Sequence, residues 1–300
     1  MKFIINPKNY ENEYLENLNN CFPNWGDLKT LDWVINRSFD NTKPDFFVIN
    51  SDENEILAGS AISYRTLKFP DNSKHTIGIM TGSWTLPISR GMGCFTETIK
   101  KSLELVSDKN FSLLTAFVTQ SNASFRRLQD AGSFLLPTNY IISQSLENYS
   151  IANNSIEILE NSQSNIEMIF NLRNDLLKDK IHFDYNFSDF ENQFFKRLNP
   201  VFLLKIDNEF AIIEETSKMF QLHFSTDYSP DFINNIVNWA NGFRKEIVFF
   251  SSNGKNDFAN NENFKVVDGF FTILKNENII NTDYEAIFNA DFNIEYGDKM

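Results

Sequence analysis

A short glycine-containing turn has the residue types that bind anions. It reads Arg90-Gly91-Met92-Gly93-Cys94-Phe95 and follows a strand-like stretch that Pro87 ends. The residues after the turn, up to about Val106, have the apolar spacing of an amphipathic helix. A glycine turn at a helix N-terminus directs free backbone N–H groups, and the positive end of the helix dipole, at one spot. Such a site suits a pyrophosphate.

The elements around this turn form a strand–helix–strand–helix unit. Thr76 to Leu86 predicts the strand that leads into the turn, and Phe111 to Thr119 predicts the strand that follows the helix. A second helix is opened by Asn122 and closed by Gly132. Two parallel strands joined through a helix would therefore carry the turn between them.

The order of elements before residue 147 is repeated after residue 155. We predict domains at 1–147 and 155–300, a linker at Leu146 to Asn154, and a tail from Lys275 to Met300. Predicted strands lie at 2–6, 46–50, 55–67, 133–145, 156–159, 201–206, 209–215, 218–225, 246–251 and 265–274, and predicted helices at 10–21, 27–39, 165–177, 187–198 and 231–241. The fold class is α/β (α+β), with two tandem domains that each contain a mostly antiparallel sheet flanked by helices.

Composition limits the classes of function. The chain has 300 residues, 42% hydrophobic and 22% charged, which fits two globular domains. A net charge of −13 disfavours binding to nucleic acid or to an anionic membrane. Two cysteines form no disulfide framework, no Cys/His spacing indicates a metal, and no signal or membrane segment is evident. We expect a cytoplasmic protein without a metal. The oligomeric state is left open.

Residues 45–135 resemble the GCN5-related N-acetyltransferase (GNAT) superfamily. The family's central motif is Arg/Gln-x-x-Gly-x-Gly/Ala, usually with a proline three residues before the arginine. Pro87, Arg90 and Gly93 match it, whereas Phe95 lies where the last small residue is expected.

The family's next motif is an Asn that opens a helix ending in Gly-Phe. Asn122 to Phe134 matches it with one residue inserted after Gly132. The two motifs together carry the resemblance, and the C-terminal half shares only the order of elements. The resemblance therefore implies a tandem protein with a degenerate C-terminal copy.

The resemblance implies an acyl-CoA site, with acetyl-CoA as the expected co-substrate. Backbone N–H groups of the turn would hold the pyrophosphate, and the strand before it, with a bulge at Gly82, would pair with pantetheine. Asn122 would contact the pantetheine arm. The implied cofactor-binding residues are Trp84, Thr85, Leu86, Arg90, Gly91, Met92, Gly93, Cys94, Phe95, Thr96, Asn122, Ser124 and Phe125.

The usual acid and base of the family are missing. The central strand contains no Glu, and Leu128 occupies the position of the usual Tyr. Catalytic residues are therefore not assigned. Glu97, Tyr64, His75 or a group of the C-terminal half remain candidates for the base, and positioning alone is the alternative.

Several residues also have purely structural interpretations. Asn122 is a good N-cap, Cys94 a small buried hydrophobe, Trp84 a core residue and His223 an interior histidine. The second copy lacks a glycine turn, since residues 226–230 contain no glycine and carry an aspartate. We therefore expect it not to bind CoA.

The sequence favours an N-acetyltransferase that acts on an amine of a small molecule or peptide. The first alternative is a non-catalytic CoA-binding or scaffold protein, because the acid and base are missing. The second is an aminoacyl transferase with paired GNAT-like domains. The acidic charge and the lack of a long heptad run disfavour it.

Overall fold

The computed structural model describes residues 1–144, 156–252, 258, 261–276 and 291–299. The predicted linker, 146–154, lies outside these residues. The first half contains β1 (Lys2–Ile5), α1 (Glu11–Cys21), α2 (Leu28–Leu31) with a π-helical turn (Asp32–Asn36), β2 (Asp45–Asn50), β3 (Ile56–Lys68), β4 (Lys74–Thr85), a 3-10 turn (Pro87–Ser89), α3 (Cys94–Asp108), β5 (Leu113–Thr119), α4 (Ala123–Asp130) and β6 (Phe134–Ser143).

The second half contains β7 (Ile156–Leu159), α5 (Gln163–Leu177), β8 (His182–Asp184), α6 (Phe187–Phe194), β9 (Val201–Ile206), β10 (Glu209–Glu215), β11 (Met219–Ser225), α7 (Pro230–Asn241), β12 (Glu246–Ser252), β13 (Phe264–Val267), β14 (Gly269–Lys275) and a 3-10 turn (Tyr296–Asp298). From β9 to β12 the second half repeats the order of β2 to β5 in the first. The predicted mixed, mostly antiparallel architecture is confirmed. The main differences are that β8 was not expected, that the strand at 265–274 is broken at Asp268, that the helix at 187–198 ends at Phe194, and that the helix at 27–39 is a short α-helix followed by a π-helical turn that ends at Asn36.

The two halves exchange strands. The described strands join in the order β1-β2-β3-β4-β5-β14-β6-β12-β11-β10-β9-β7, with β8 on β3 and β13 on β6. The start of β6 pairs with β14, and its end pairs with β12 and β13. β14 itself lies between β5 and β6, so a strand from the end of the chain completes the sheet of the first half. The domain boundary at 147–155 stays a prediction. Strands from before and after it pair with each other in the sheet.

A close approach of two strands explains the break at Asp268. A Cβ on Gly269 would lie 2.4 Å from the carbonyl oxygen of Thr138 and 2.6 Å from the ring of Tyr140. No side chain fits at that distance. Glycine therefore marks the point where β13 gives way to β14 against β6.

The helices cover both faces of the first half's sheet. One face packs against α3 and α4 through a cluster that includes Ile62, Met80, Leu114 and Leu128. The other face packs against α1 and α2 near Trp84, and against a phenylalanine-rich cluster shared with the second half. Among the described residues, no helix has the length and apolar character needed to span a bilayer.

A buried ionic network holds the end of the chain in place. Arg173 on α5 pairs with Glu295 at 2.7 Å and lies 3.7 Å from Asp298, and the phenol of Tyr185 donates to Asp298 at 2.8 Å. Asn293 also donates its backbone N–H to the carbonyl of Ile181. Residues 291–299 of the predicted tail are thus packed between the halves.

Candidate functional site

A slot opens between the parallel strands β4 and β5. They pair only at Gly78 with Leu114 and at Ile79 with Thr115, and beyond those positions they separate. β4 stays paired to β3 on its other side as far as Thr85. Its edge toward β5 is therefore free to pair with a ligand that lies in the slot.

A bulge on β4 lies beside the slot. Ala61 pairs with Thr81 and Gly59 pairs with Trp84, so β4 has one residue more than β3 over this interval. Gly82 has a φ of +52° there, a conformation that favours glycine. The bulge that the sequence predicted at Gly82 is confirmed.

The slot continues into a cavity of about 830 Å³. All but three of the predicted cofactor-binding residues line it: Trp84, Thr85, Arg90, Gly91, Gly93, Cys94, Phe95, Thr96, Asn122 and Ser124. The exceptions are Leu86, which packs beside the cluster of α1 and α2, Met92, which is 54% exposed, and Phe125, which stacks on Phe270.

The glycine turn presents free backbone donors to the cavity. Gly91 and Gly93 have φ values of +86° and +82°, which only glycine adopts without strain. Gly93 is the N-cap of α3, no side chain caps the helix, and the first helical hydrogen bond runs from the N–H of Glu97 to the carbonyl of Gly93. The N–H groups of Cys94, Phe95 and Thr96 therefore have no partner within the helix.

Other polar atoms of the lining also lack partners. Within the described part of the chain, the buried hydroxyls of Thr85 and Ser89 accept and donate no hydrogen bond. Asn122 occupies the N-cap position of α4, yet its side chain makes no capping hydrogen bond. Its amide is exposed at the cavity, so the capping role that the sequence indicated is not used.

The charges at the cavity all have one sign. Arg90, Arg127 and Lys299 are its charged residues, and the described lining includes no Asp, Glu, His or Tyr. Two thiols, Cys21 and Cys94, are also present, and burial raises the pKa of each. Both thiols are therefore protonated at neutral pH, and neither is suited to be a nucleophile. Cys94 is buried, as its structural interpretation predicted.

The three candidate bases from the sequence lie away from the cavity. Glu97 pairs with Lys100 at 2.7 Å on the surface of α3. The phenol of Tyr64 donates to Asp45 at 2.6 Å, and burial raises its pKa. His75 packs edge-on against the ring of Phe69. None of them is among the residues that line the site.

Aromatic side chains lie at the equivalent region of the second half. β11 and β12 pair only from Met219 to Gln221, as β4 and β5 do over a short stretch. Beyond that point, the ring centres of Tyr228 and Phe249 lie 6.2 Å apart, and the ring of Tyr296 packs against that of Phe250. His223 is buried and 2.9 Å from Glu214, and burial lowers its pKa to about 4. It is the interior histidine that the sequence indicated.

The sequence did not indicate one side of the cavity. Lys299 and a group of residues on or near α1 and α2 complete the lining: Cys21, Phe22, Trp25, Thr30 and Val34. No local pattern marks these residues, because distant parts of the chain bring them to the slot.

Comparisons with known proteins support this architecture. No protein-family model matches the chain, and no curated protein matches it in sequence. A probable N-acyltransferase from Enterococcus faecalis V583, a conserved protein of unknown function, has a similar structure, with a TM-score of 0.61 and 10% identity over 92% of this chain and 73% of that one. A GCN5-related N-acetyltransferase from Anabaena variabilis gives a TM-score of 0.60 and 13% identity, over 91% and 72% of the two chains.

A third solved structure has the tandem arrangement in its description. It is a tandem GNAT protein from the clavulanic acid biosynthesis pathway, with a TM-score of 0.63 and 10% identity over 94% of this chain and 100% of that one. At identities this low, the structural similarity shows the fold alone. The chain therefore has the fold of the tandem GCN5-related N-acetyltransferases.

Proposed function

We propose that the chain is an acyl-CoA-dependent N-acyltransferase that transfers an acetyl group from acetyl-CoA to an amine. The observation that carries the proposal is the slot between β4 and β5, which ends at the unpartnered N–H groups of Cys94, Phe95 and Thr96. Solved proteins with this fold are described as N-acetyltransferases. A slot for an extended arm, next to a site for a pyrophosphate, matches the shape and charge of a CoA thioester.

Each part of the site has a role in binding the donor. The turn donates its N–H groups to the pyrophosphate, and Arg90 and Arg127 add positive charge on the same side. The open edge of β4 pairs with the amides of pantetheine. Asn122 and the hydroxyls of Thr85 and Ser89 supply further hydrogen bonds to the arm.

The chemistry requires little from the side chains. The nitrogen of a neutral amine forms a bond to the thioester carbon, the carbon–sulfur bond breaks, and CoA leaves as the thiolate. The amine's proton passes to water, because the described lining offers no carboxylate, imidazole or phenol to accept it. Backbone N–H groups on the open edge of β4 polarise the thioester carbonyl, and the slot aligns the reactants.

The lack of a base supports one alternative, a non-catalytic CoA-binding protein. Release of free CoA from acetyl-CoA, measured with a thiol reagent over a panel of amines, separates the two. Turnover that depends on the amine, with the acetylated product identified by mass spectrometry, supports the proposal. Tight binding of acetyl-CoA without turnover on any amine would support the alternative.

A further inference from the structure

The cavity reaches both faces of the sheet. Neighbouring residues of a strand point to opposite faces. Met80 packs with the cluster under α3, whereas Ile79 packs with the phenylalanine-rich cluster on the other face, and both line the cavity. We call the α3 face, with the glycine turn, the donor side. The opposite face, with Lys299, Phe117 and the α1–α2 residues, is the acceptor side.

Lys299 is fixed at the acceptor side. Its ammonium group donates to the phenol oxygen of Tyr140 at 3.1 Å and lies 4.8 Å from the centre of that ring. Its backbone N–H donates to the carbonyl of Tyr296, and its carbonyl lies 3.5 Å from the side-chain nitrogen of Gln193. The ammonium group is thus held by its own backbone and by an aromatic ring, with donor hydrogens left over.

No carboxylate of the described residues pairs with this ammonium group. The ion pairs of the described chain do not include Lys299, although the protein carries 40 acidic residues and a net charge of −13. Arg90 lies in the glycine turn and Arg127 on α4, where the phosphates of CoA would pair with them. Lys299 is therefore the charged residue that lines the cavity on the acceptor side, and it is a cation.

The rest of the acceptor side is largely apolar. Phe22 and Trp25 line it from the connection between α1 and α2, Val34 lines it from the π-helical turn after α2, and Phe117 lines it from β5. An apolar wall beside a cation favours a ligand that carries an apolar group and a negative charge. It disfavours a polycation, because a like charge would face Lys299 without any acidic group among the described lining to offset it.

We propose that the acceptor is an amine that also carries a carboxylate and an apolar group, such as a hydrophobic α-amino acid, and that Lys299 binds the carboxylate. The inference rests on the proposed function and names the class of its acceptor. The amine then points through the slot toward the thioester, while the apolar group lies against Trp25 and Phe117. Lys299 is a specificity residue that selects and orients the acceptor and takes no part in bond making.

Matched pairs of acceptors test the inference. Leucine and leucinamide, or phenylalanine and phenylalaninamide, differ in the carboxylate while sharing the amine and the side chain. Their kcat/KM values are compared at a pH at which a lysine is charged, after division by the fraction of neutral amine, since the amine of the amide is less basic. We expect the amino acid to exceed its amide by at least about tenfold, as for a charge-assisted hydrogen bond. Spermidine and kanamycin, both polycations, should be poor acceptors.

Two variants assign the preference to Lys299. Lys299→Met retains the stem that packs on Tyr140 but removes the charge, and it should reduce the ratio of amino acid to amide to near one, mainly through KM. Lys299→Arg should retain much of the preference. Affinity for acetyl-CoA, measured in the same proteins, reports whether the donor side is intact.

The outcomes separate this inference from the proposed function. Failure of the wild-type protein to bind acetyl-CoA would contradict both the proposed function and the inferred acceptor class. Binding of acetyl-CoA with transfer only to amides or polycations, or with no transfer to any amino acid of the panel, overturns the acceptor class and leaves the donor site standing. An amino-acid preference that survives in Lys299→Met overturns the role of Lys299.

Discussion

Arg173 on α5 and Glu295 near the end of the chain form a fully buried ion pair, with 2.7 Å between Nε and Oε2. The Oδ1 atom of Asp298 lies 3.7 Å from Nη2 of the same guanidinium group. Four residues after Glu295, Lys299 reaches the cavity. A contact between the second half and the C-terminal segment therefore sets the position of a residue at the candidate site of the first half.

Replacement of Arg173 by Met should destabilise the protein by about 3–5 kcal/mol, because Glu295 and Asp298 would remain buried without their cation. The matched control is Lys196→Met. Lys196 pairs with Glu191 at 2.6 Å but is 60% exposed, so its loss should cost less than about 1 kcal/mol. Urea unfolding of the two variants measures the difference. Equal effects would show that burial adds nothing to the Arg173 pair.

The core of the site could be predicted from sequence because its determinants are local. The turn, its two flanking strands and its helices lie within 60 residues, and the positive φ values of Gly91 and Gly93 need a residue type that the sequence displays. The free edge of β4 is what the family resemblance implies, and the short pairing of β4 with β5 leaves that edge open.

The features of the fold and the site that could not be predicted from sequence depend on contacts between distant parts of the chain. The place of β14 between β5 and β6 has no local pattern, because a strand's sequence does not name its partner. β8 has three residues, too few for a period to appear. Lys299 enters the site through buried contacts of the preceding residues, so its own neighbours in sequence give no indication of its position.

Arg127 and Arg126 are neighbours on α4 whose replacement should differ in its effect on the affinity for acetyl-CoA. Arg127 lines the cavity and Arg126 does not. Arg127→Gln should weaken acetyl-CoA binding by about tenfold through the loss of a charge-assisted contact to a phosphate. Arg126→Gln, with the same change in net charge, should change the affinity less than twofold. Calorimetric titration measures both, and equal losses would indicate only a general field effect.

The pH dependence of transfer should follow the acceptor. Since the described lining offers no base, kcat/KM for the amine should rise with pH until the amine itself is neutral and then level off. Two acceptors whose amine pKa values differ by two units should give profiles displaced by two units. A shared inflection, independent of the acceptor, would reveal a protein base.

Two buried histidines should make stability depend on pH. Burial is the main cause that lowers the pKa of His182 and of His223 to about 4, from an ordinary 6.5. Between pH 4 and 6.5 the unfolded chain binds more protons than the folded chain at both positions. The contribution of the two histidines to stability is therefore complete above pH 6.5 and falls as the pH drops toward 4, by up to about 1.4 kcal/mol per pH unit for each histidine. Burial raises the pKa of Glu295 to about 7, so this carboxyl contributes with the opposite sign between pH 4.5 and 7.

Substitution of either histidine isolates its contribution. His182→Gln and His223→Gln should each reduce the slope of unfolding free energy against pH in this window, whatever their effect at neutral pH. Urea unfolding at pH 7, 6, 5 and 4 gives the slopes. Slopes equal to that of the wild-type protein would show that folding does not change the pKa values of the two imidazoles.

The most direct test of the acyl-CoA site is calorimetric titration with acetyl-CoA of the wild-type protein, Gly93→Asp and Gly132→Asp. Gly132 has a φ of +86° and open space at its Cβ, as Gly93 has, and it does not line the cavity, so the two variants share the same backbone strain. We predict one site per chain, binding lost in Gly93→Asp because a carboxylate faces the pyrophosphate, and binding retained in Gly132→Asp. Retention of full affinity by Gly93→Asp, or no binding by the wild-type protein, would contradict the account.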